Sequence, residues 1–241
     1  MANSSIEWTD MTWNPTTGCT KISAGCKNCY AEVMTRRLKA MGQKKYEHGF
    51  YIVRTHQETL SIPYTWKSSK RVFVDSMSDL FHEDVPLEFI KQVFLVMNEN
   101  PQHVFQVLTK RAERLFELHD EFKWSNNIWM GVSVENNEVI SRIEFLRNIK
   151  AKIKFLSLEP LLGPLHDLNL RNIDWVIVGG ESGHNALPMK KEWVLSIKEQ
   201  AEVQGSAFFF KQWGTWGSDG IKRNKHLNGN LIDGKIYQEC P

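Results

Sequence analysis

The sequence predicts an α/β fold, a full or partial TIM-type (β/α) barrel with parallel strands. Short runs of β-branched and aromatic residues alternate along the chain with segments of helical periodicity. The runs are apolar on both faces, which is typical of parallel strands covered by helices. Six or seven such units in about 200 residues favour a barrel over a doubly wound sheet. Periodicity does not report strand order, so the doubly wound sheet remains the alternative fold.

The predicted strands are short, and each ends in polar residues. They span residues 71–74, 104–108, 128–134, 153–158, 175–178 and 207–210, with a weaker candidate at 11–13. Predicted helices span residues 30–41, 87–97, 139–146 and 193–201. Gly42 and Gly205 follow the first and the last of these helices, and glycine commonly ends a helix.

Two segments interrupt the alternation. Residues 43–70 are too long for a plain connection, and we expect their FYIVRTH stretch to pair as a local hairpin. The tail, residues 214–241, contains five glycines and little apolar periodicity, so we expect loops and a hairpin there. The predicted domains are therefore a barrel domain over 1–213 and a loop-rich extension over 214–241 that packs on it.

Composition excludes several classes of protein. The 241 residues are 41% hydrophobic and 24% charged, which is unlike disordered or fibrous chains. No apolar run approaches the roughly 20 residues of a membrane-spanning helix, and the first residues show no secretory signal. The net charge of +2 is too small to indicate a nucleic-acid or membrane surface. We expect a cytoplasmic protein without a membrane partner.

The polar residues that follow the predicted strands are the candidate site. In a parallel barrel the active site lies at the carboxyl ends of the strands, where the following loops converge. For any single residue, the ordinary polarity of a loop is the alternative explanation. The candidates are Ser76, Ser78, Lys110, Ser133, Glu135, Glu159, Gly179, Gly180, Glu181, Ser182 and Lys211.

Three of the four cysteines form a compact group. Cys19, Cys26 and Cys29 have the spacing C-x6-C-x2-C, in a loop before the first predicted helix, whereas Cys240 lies in the tail. Three thiols cannot all pair with one another, but they can hold one face of a polynuclear metal site. Iron–sulfur clusters usually take four cysteines, so three would leave one iron open to a small molecule.

Three other interpretations of the cysteines remain open. A structural zinc site needs a fourth ligand, which Cys240 or a histidine could supply. CKNC at a helix start also suggests a redox dithiol, although that leaves Cys19 unexplained. The third interpretation is that the cysteines cluster without binding anything.

An ordered series of sequence blocks carries a resemblance. Three closely spaced cysteines before a helix, in a predicted parallel barrel, resemble the radical S-adenosylmethionine superfamily. Over residues 6–216 the chain is more closely similar to a phage- and prophage-associated three-cysteine-motif family. The similar blocks are IEWTDMTWNPTTGCTKISAGCKNCYAE, VFVDSMSDLF, FQVLTKR, GVSVEN, FLSLEPLLGPL, WVIVGGESG and FFFKQWG.

The resemblance implies an enzyme with two cofactors. A 4Fe-4S cluster on Cys19, Cys26 and Cys29 would bind S-adenosylmethionine at its open iron. One electron, from a donor such as a flavodoxin or ferredoxin, would cleave that cofactor to a 5′-deoxyadenosyl radical that abstracts hydrogen from a substrate. The substrate is unknown, and a nucleoside, nucleotide or modified base is our hypothesis. The implied location is the cytoplasm of a bacterial host, with a phage gene as a further source.

The resemblance also suggests roles for the strand-end residues. By topology Ser76 and Ser78 lie nearest the position that binds the methionine amino group. Ser133 and Glu135 are candidates for the ribose or methionine end of the cofactor, and the Gly179–Ser182 turn for its close approach. Lys110, Glu159 and Lys211 are candidates for substrate contacts or proton transfer.

Three departures from the superfamily pattern accompany this resemblance. The first cysteine gap is six residues rather than three, Asn28 stands where an aromatic residue is usual, and GGE follows a late strand. A zinc-stabilised nucleic-acid-binding protein without catalysis is therefore the alternative function.

The KRNKH run, residues 222–226, could contact phosphate, and a solvated basic loop is the alternative for it.

Overall fold

The computed structural model describes residues 6–241, which form nine strands and six α-helices. The strands are β1 (Met11–Trp13), β2 (Thr16–Thr17), β3 (Arg54–Thr55), β4 (Arg71–Val74), β5 (Val104–Thr109), β6 (Ile128–Ser133), β7 (Ile153–Leu158), β8 (Trp175–Gly179) and β9 (Ala207–Gln212). The helices are α1 (Tyr30–Ala40), α2 (Leu87–Glu99), α3 (Ala112–Leu118), α4 (Arg142–Arg147), α5 (Lys191–Gln204) and α6 (Lys225–Asn228).

Seven strands form one sheet in the order β1-β4-β5-β6-β7-β8-β9. The neighbours β1–β4, β4–β5, β7–β8 and β8–β9 pair in parallel. The order never reverses, as it would in a doubly wound sheet. Helices follow β4, β5, β6 and β8, as in a (β/α) barrel. The strand order thus confirms the prediction of a partial TIM-type barrel.

The chain divides into two compact units. The first contains the described residues up to Ile22, together with Cys29–Gly131 and Asn148–Lys152. The second contains Ser23–Asn28, Val132–Arg147 and Ile153–Pro241. The three-cysteine loop contributes to both, since Cys19 and Cys29 belong to the first unit and Cys26 to the second.

The core of the first unit forms around β4 and α2. Val72, Phe73 and Val74 are all buried, so β4 is apolar on both faces. Helix α2 starts directly after Pro86, which cannot donate a backbone hydrogen bond and is favoured at helix starts. Its buried side includes Phe94, whose ring stacks on Phe122 at 4.2 Å between centroids.

The core of the second unit forms around β8, all five residues of which are buried. Helix α5 ends at Gly205, whose φ of 74° requires the left-handed conformation that glycine adopts without strain. The tail covers the outer edge of β9: Phe210 N–H donates to Tyr237 O at 2.7 Å, and Glu239 N–H donates to Phe208 O at 3.1 Å. Pairing of this kind protects an edge strand from other chains.

Two predictions of local structure were wrong. The FYIVRTH stretch forms no hairpin of its own; instead Arg54–Thr55 pairs antiparallel with Thr16–Thr17. That stretch contains no two-residue turn of the kind that closes a tight hairpin. Helix α3 was not predicted, although Ala112, Leu115 and Phe116 have helical spacing, because its seven residues are too few to show more than one repeat.

Smaller differences concern element ends. The predicted strand 128–134 ends at Ser133, and the predicted helix 139–146 consists of a 3₁₀ turn followed by α4. Among the described residues, no helix combines the length and the apolar character needed to cross a bilayer.

Candidate functional site

The three-cysteine loop runs from Gly18 to the start of α1. Cys19, Cys26 and Cys29 are each half-buried, and none forms a disulfide bond. Cys29 is the residue immediately before the first turn of α1. The side chains are therefore thiols, partly accessible to a ligand.

In the first unit, Gly18 fixes the approach to Cys19. Gly18 bridges to Ser78, whose Oγ donates to Gly18 O at 2.6 Å. A Cβ at Gly18 would lie 2.2 Å from Ile52 O, and its φ is +83°, so only glycine fits here. Because Ser78 lies four residues beyond β4, Cys19 is held beside the carboxyl end of that strand.

Arg111 is buried and contacts the Cys19 sulfur directly. Its Nη1 donates to Cys19 Sγ at 3.6 Å and to Asp79 Oδ2 at 3.2 Å, and its Nη2 donates to Thr20 Oγ1 at 2.9 Å. Burial lowers the pKa of Arg111, but the negative charges of Asp79, Cys19 and Glu83 outweigh burial and raise it overall. A permanent cation beside sulfur favours the thiolate, the form that binds metals.

Asp79 anchors this guanidinium. Its Oδ1 accepts from Thr109 Oγ1 at 2.7 Å and from Phe81 N at 3.0 Å, and its Oδ2 accepts from Lys110 N at 3.1 Å. Lys110 thus contributes its backbone to the network, and its half-buried amine makes no hydrogen bond within the described residues. The sequence placed Lys110 and Arg111 after the same strand without indicating which of the two is buried.

The turn after β4 contains two further polar residues. Asp75 is buried, with a left-handed φ of 56°, and its Oδ1 accepts from Thr16 N at 2.9 Å. Burial raises the pKa of Asp75 to about 7, and its Oδ2 has no hydrogen-bond partner within the described residues. Ser76 Oγ donates to Asn14 Oδ1 at 3.1 Å, and Ser76 O accepts from Tyr30 Oη, next to Cys29.

In the second unit, Glu135 holds the segment before Cys26. Its side chain is fully buried and accepts from Arg142 Nη1 at 2.8 Å. It also accepts a hydrogen bond from Ser23 Oγ. A Cβ at Gly25 would lie 2.3 Å from Glu135 Cγ, so the loop packs directly on this glutamate.

Glu181 holds the segment after Cys26. Its Oε1 accepts from Asn28 Nδ2 at 3.0 Å, and its Oε2 accepts from Leu187 N at 2.8 Å. Asn28 Nδ2 also donates to Asn185 O at 3.1 Å. The two buried glutamates that follow β6 and β8 therefore hold the loop on both sides of Cys26.

Close packing requires a glycine at position 180 and leaves little room beside Gly179. A Cβ at Gly180 would lie 1.9 Å from Trp213 O, and one at Gly179 would lie 3.0 Å from Glu159 Cδ. Next to them, Lys211 Nζ donates to both carboxylate oxygens of Glu159 at 2.9 Å. This pair is partly exposed, in contrast to Glu135 and Glu181.

Two predicted serines differ in their hydrogen bonding. Ser182 Oγ accepts from Gln212 Nε2 at 3.4 Å. Ser133 Oγ is buried and has no hydrogen-bond partner within residues 6–241. A buried hydroxyl without a partner is costly, which makes Ser133 a candidate to bind a polar ligand atom. The cofactor and catalytic roles of all these residues stay predictions.

By donor chemistry, the three cysteines are thiols of the kind that hold iron–sulfur clusters. Within residues 6–241, no three or more His, Cys, Asp or Glu side chains are grouped to hold a single metal ion. A cluster takes one thiolate at each iron, so its ligands do not converge on one point. The three thiols are outside disulfide bonds, and one of them lies beside a buried cation that favours its thiolate form.

Comparison with known proteins gives a family. A family model described as "Protein of unknown function (DUF5131)" matches residues 3–241. The chain belongs to this family. No curated protein matches this DUF5131 member in sequence.

One solved structure, described as "Spore photoproduct lyase complexed with dinucleoside spore photoproduct", is similar to the DUF5131 chain. The two chains share 13% identity and a TM-score of 0.44, over 78% of this chain and 59% of the other. The DUF5131 member thus spans less than two thirds of that chain. Its expected phage and prophage association stays a prediction.

Glu135 and Glu181 were predicted site residues, but their partners in and near the DUF5131 loop were not predicted from the sequence. Ser23, Asn28 and Arg142 were not candidates, although each bonds to a buried glutamate. Glu135 and Arg142 are seven residues apart, and nothing in that spacing indicates burial. Asn28 carried the only signal, because it stands where the resemblance predicts an aromatic residue.

Proposed function

We propose that this chain is a radical S-adenosylmethionine enzyme whose 4Fe-4S cluster is held by Cys19, Cys26 and Cys29. The observation that supports the proposal most strongly is three half-buried thiols without disulfide bonds, in the loop before α1. When bound, the cluster and S-adenosylmethionine supply an electron and a 5′-deoxyadenosyl radical that abstracts hydrogen from a substrate.

The residues around the loop would keep the thiols ready for metal. Arg111 favours the Cys19 thiolate through its donor at 3.6 Å. Glu135 and Glu181 hold Ser23 and Asn28, which lie on either side of Cys26. With both carboxylates already hydrogen-bonded, we assign them to positioning the loop as well as to the cofactor contacts that the resemblance implies.

Other strand-end residues would contact cofactor or substrate. Ser133 is the best candidate for a cofactor contact, because its buried hydroxyl lacks a partner within the described residues. Ser76, Ser78, Gly179, Gly180 and Ser182 stay candidates for the cofactor. The Lys211 amine can hold a proton against Glu159, so this pair is the candidate for proton transfer, with Lys110 as a substrate contact.

Substrate and electron donor are the least constrained parts of the proposal. A nucleoside, nucleotide or modified base is the proposed substrate class, and a flavodoxin or ferredoxin the proposed donor. We propose that the protein meets both of them in the cytoplasm.

Iron, sulfide and zinc analysis of anaerobically purified protein tests the cluster. We expect about four irons and four sulfides per chain. Cys19→Ala, Cys26→Ala and Cys29→Ala should each lose most of the iron. Cys240→Ala is the matched control and should keep it, because Cys240 is exposed in the tail. One zinc per chain without iron would contradict the proposal and support the zinc-stabilised binding protein.

A further inference from the structure

Apart from Ser182, the residues that line a cleft in the second unit have no role in the proposed chemistry. The cleft is an open surface depression of about 410 Å³. The lining includes Ser182, His184, Thr215, Lys222, Arg223 and Lys225, and none of its lining residues is acidic. It contains most of the KRNKH run, which the cysteine chemistry leaves unexplained.

Two of the three cations in the cleft lack a carboxylate partner. Arg223 is neutralised by Asp219, with Nη1 and Nη2 donating to its two oxygens at 2.8 and 2.6 Å. The side-chain hydrogen bond from Arg223 lowers the pKa of Asp219 to about 2. Lys222 and Lys225 form no ion pair with any described carboxylate, so the cleft keeps an excess of positive charge.

Lys222 is nevertheless held in place. Its Nζ donates to His184 O at 2.6 Å and lies 5.8 Å from the centroid of the Trp216 ring. An amine fixed by a carbonyl and an aromatic face is pre-organised for an anion, since less side-chain entropy is lost on binding.

The cleft adjoins the turn that follows β8. Residues 215–223 form a hairpin, in which Trp216 bridges Lys222 and Arg223 N donates to Thr215 O at 2.9 Å. Gly183 N donates to Thr215 Oγ1 at 2.9 Å, which fastens this hairpin to the Gly179–Ser182 turn. The cleft is thus at the carboxyl end of β8, the side on which parallel barrels bind substrates.

We infer that this cleft binds the phosphate of a nucleotide substrate, either free or within a single strand. The inference rests on the proposed function, because it names one group of that enzyme's substrate. Lys222 and Lys225 would act as point charges on the phosphate oxygens. Ser182, whose hydroxyl accepts from Gln212 and keeps its own proton, also lines the cleft, whereas the Thr215 hydroxyl already donates to Gly183 O at 3.2 Å. A free nucleotide and a single strand both present a phosphate ester to the cleft.

Fluorescence anisotropy with a labelled single-stranded oligothymidylate tests the cleft. The full chain carrying Lys222→Gln and Lys225→Gln is compared with a control carrying Lys67→Gln and Lys235→Gln. The control pair is exposed, lies outside the cleft and removes the same charge. We expect at least tenfold weaker binding for the cleft variant and less than a twofold change for the control.

The salt dependence separates specific contacts from general charge. Each phosphate contact with a single strand contributes about 0.7 to the slope of log affinity against log salt, so two lost contacts lower it by about 1.4. Equal affinities for the wild type and the cleft variant would overturn the inference. An equal loss in both variants would also overturn it.

Competition identifies the source of the phosphate. Displacement of the probe by thymidine 5′-monophosphate but not by thymidine supports a free nucleotide. Binding of the oligonucleotide without displacement by the monophosphate supports a strand, and binding of neither ligand contradicts the inference. These assays need no cluster turnover. If anaerobically purified protein holds no iron but the cleft still binds the probe, the proposed function fails and the phosphate site stands.

Discussion

Opposite charges hold two parts of the three-cysteine loop: the end at Cys19, and the part around Cys26, called the Cys26 end below. In the first unit, the cation Arg111 donates to Cys19 Sγ and to Thr20. In the second unit, the anions Glu135 and Glu181 accept from residues beside Cys26 and never reach its sulfur in the contacts described. Arg111 therefore acts on the electrostatics of the Cys19 sulfur, whereas the glutamates act on the position of the loop.

The difference separates two kinds of perturbation. Changes at the Cys19 end should alter stability strongly, because Arg111 and Asp79 are both buried and depend on each other. Changes to the loop residues around Cys26, which leave the buried Glu135–Arg142 pair intact, should mainly alter how well the loop is ordered, and hence how well it would retain the proposed cluster.

The largest effect is expected at Arg111. Arg111→Gln leaves Asp79 as a buried charge without its cation, which costs about 3–5 kcal/mol of unfolding free energy. Adding Asp79→Asn should recover part of this loss, because it removes the charge left unpaired. Urea denaturation measures both variants. A loss below about 1 kcal/mol for Arg111→Gln, or no recovery in the double variant, would show that the pair is not coupled.

Asp75 gives the Cys19 end a distinct pH dependence. Burial raises the pKa of Asp75 to about 7 from its ordinary value of 3.8. Between these values the folded state holds a proton that the unfolded state has released, so stability falls as pH rises from 4 to 7. The total fall is about 4 kcal/mol at about 1.4 kcal/mol per unit.

Asp75→Asn tests that slope, since asparagine keeps the acceptor for Thr16 and tolerates a left-handed φ. The variant should lack this fall, and its advantage over the wild type should grow from pH 4 to pH 7. Urea unfolding at several pH values measures it. Parallel pH profiles for the two proteins would contradict the assignment.

The two loop glycines sharpen the contrast. Gly18→Ala combines a left-handed φ with a backbone collision, so we expect a loss of about 2–5 kcal/mol. Gly25→Ala meets only the Glu135 side chain, and the expected loss is about 1–3 kcal/mol. Thermal or urea unfolding measures the loss of stability in both variants. A larger loss for Gly25→Ala than for Gly18→Ala would contradict the expected order.

The smallest effect on stability is expected at Asn28. Asn28→Ala removes two hydrogen bonds from a half-exposed side chain, at a cost of about 1 kcal/mol. Asn28→Asp adds repulsion with Glu181, so iron content after anaerobic purification should fall in the order wild type, Asn28→Ala, Asn28→Asp. Equal iron content in all three proteins would show that Glu181 does not position the loop through Asn28.

The fold was more predictable than the support of the site. In strands such as β8 the consecutive residues are all apolar, so the sequence alone predicts that both faces of the strand are buried. The cysteine loop was equally visible, because its chemistry depends on local spacing. Helix α3 was missed because its seven residues are too few to show more than one helical repeat.

The contacts that hold the loop could not be predicted in the same way. Ser23 and Glu135 are 112 residues apart in the chain, and Asn28 and Glu181 are 153 apart. Such pairs depend on the three-dimensional position of strand ends, which no local pattern encodes. Asp75 illustrates the same limit, since its burial depends on residues 14–17 as well as on its own strand.

Electron paramagnetic resonance of the reduced protein, with and without S-adenosylmethionine, tests the central claim most directly. If one iron of the cluster is open to S-adenosylmethionine, the reduced protein should give a cluster signal whose shape changes when that cofactor is added. Cys240→Ala should behave like the wild type, while Cys26→Ala should lose the signal. A cluster signal that is identical with and without S-adenosylmethionine, or no cluster signal at all, would contradict the claim.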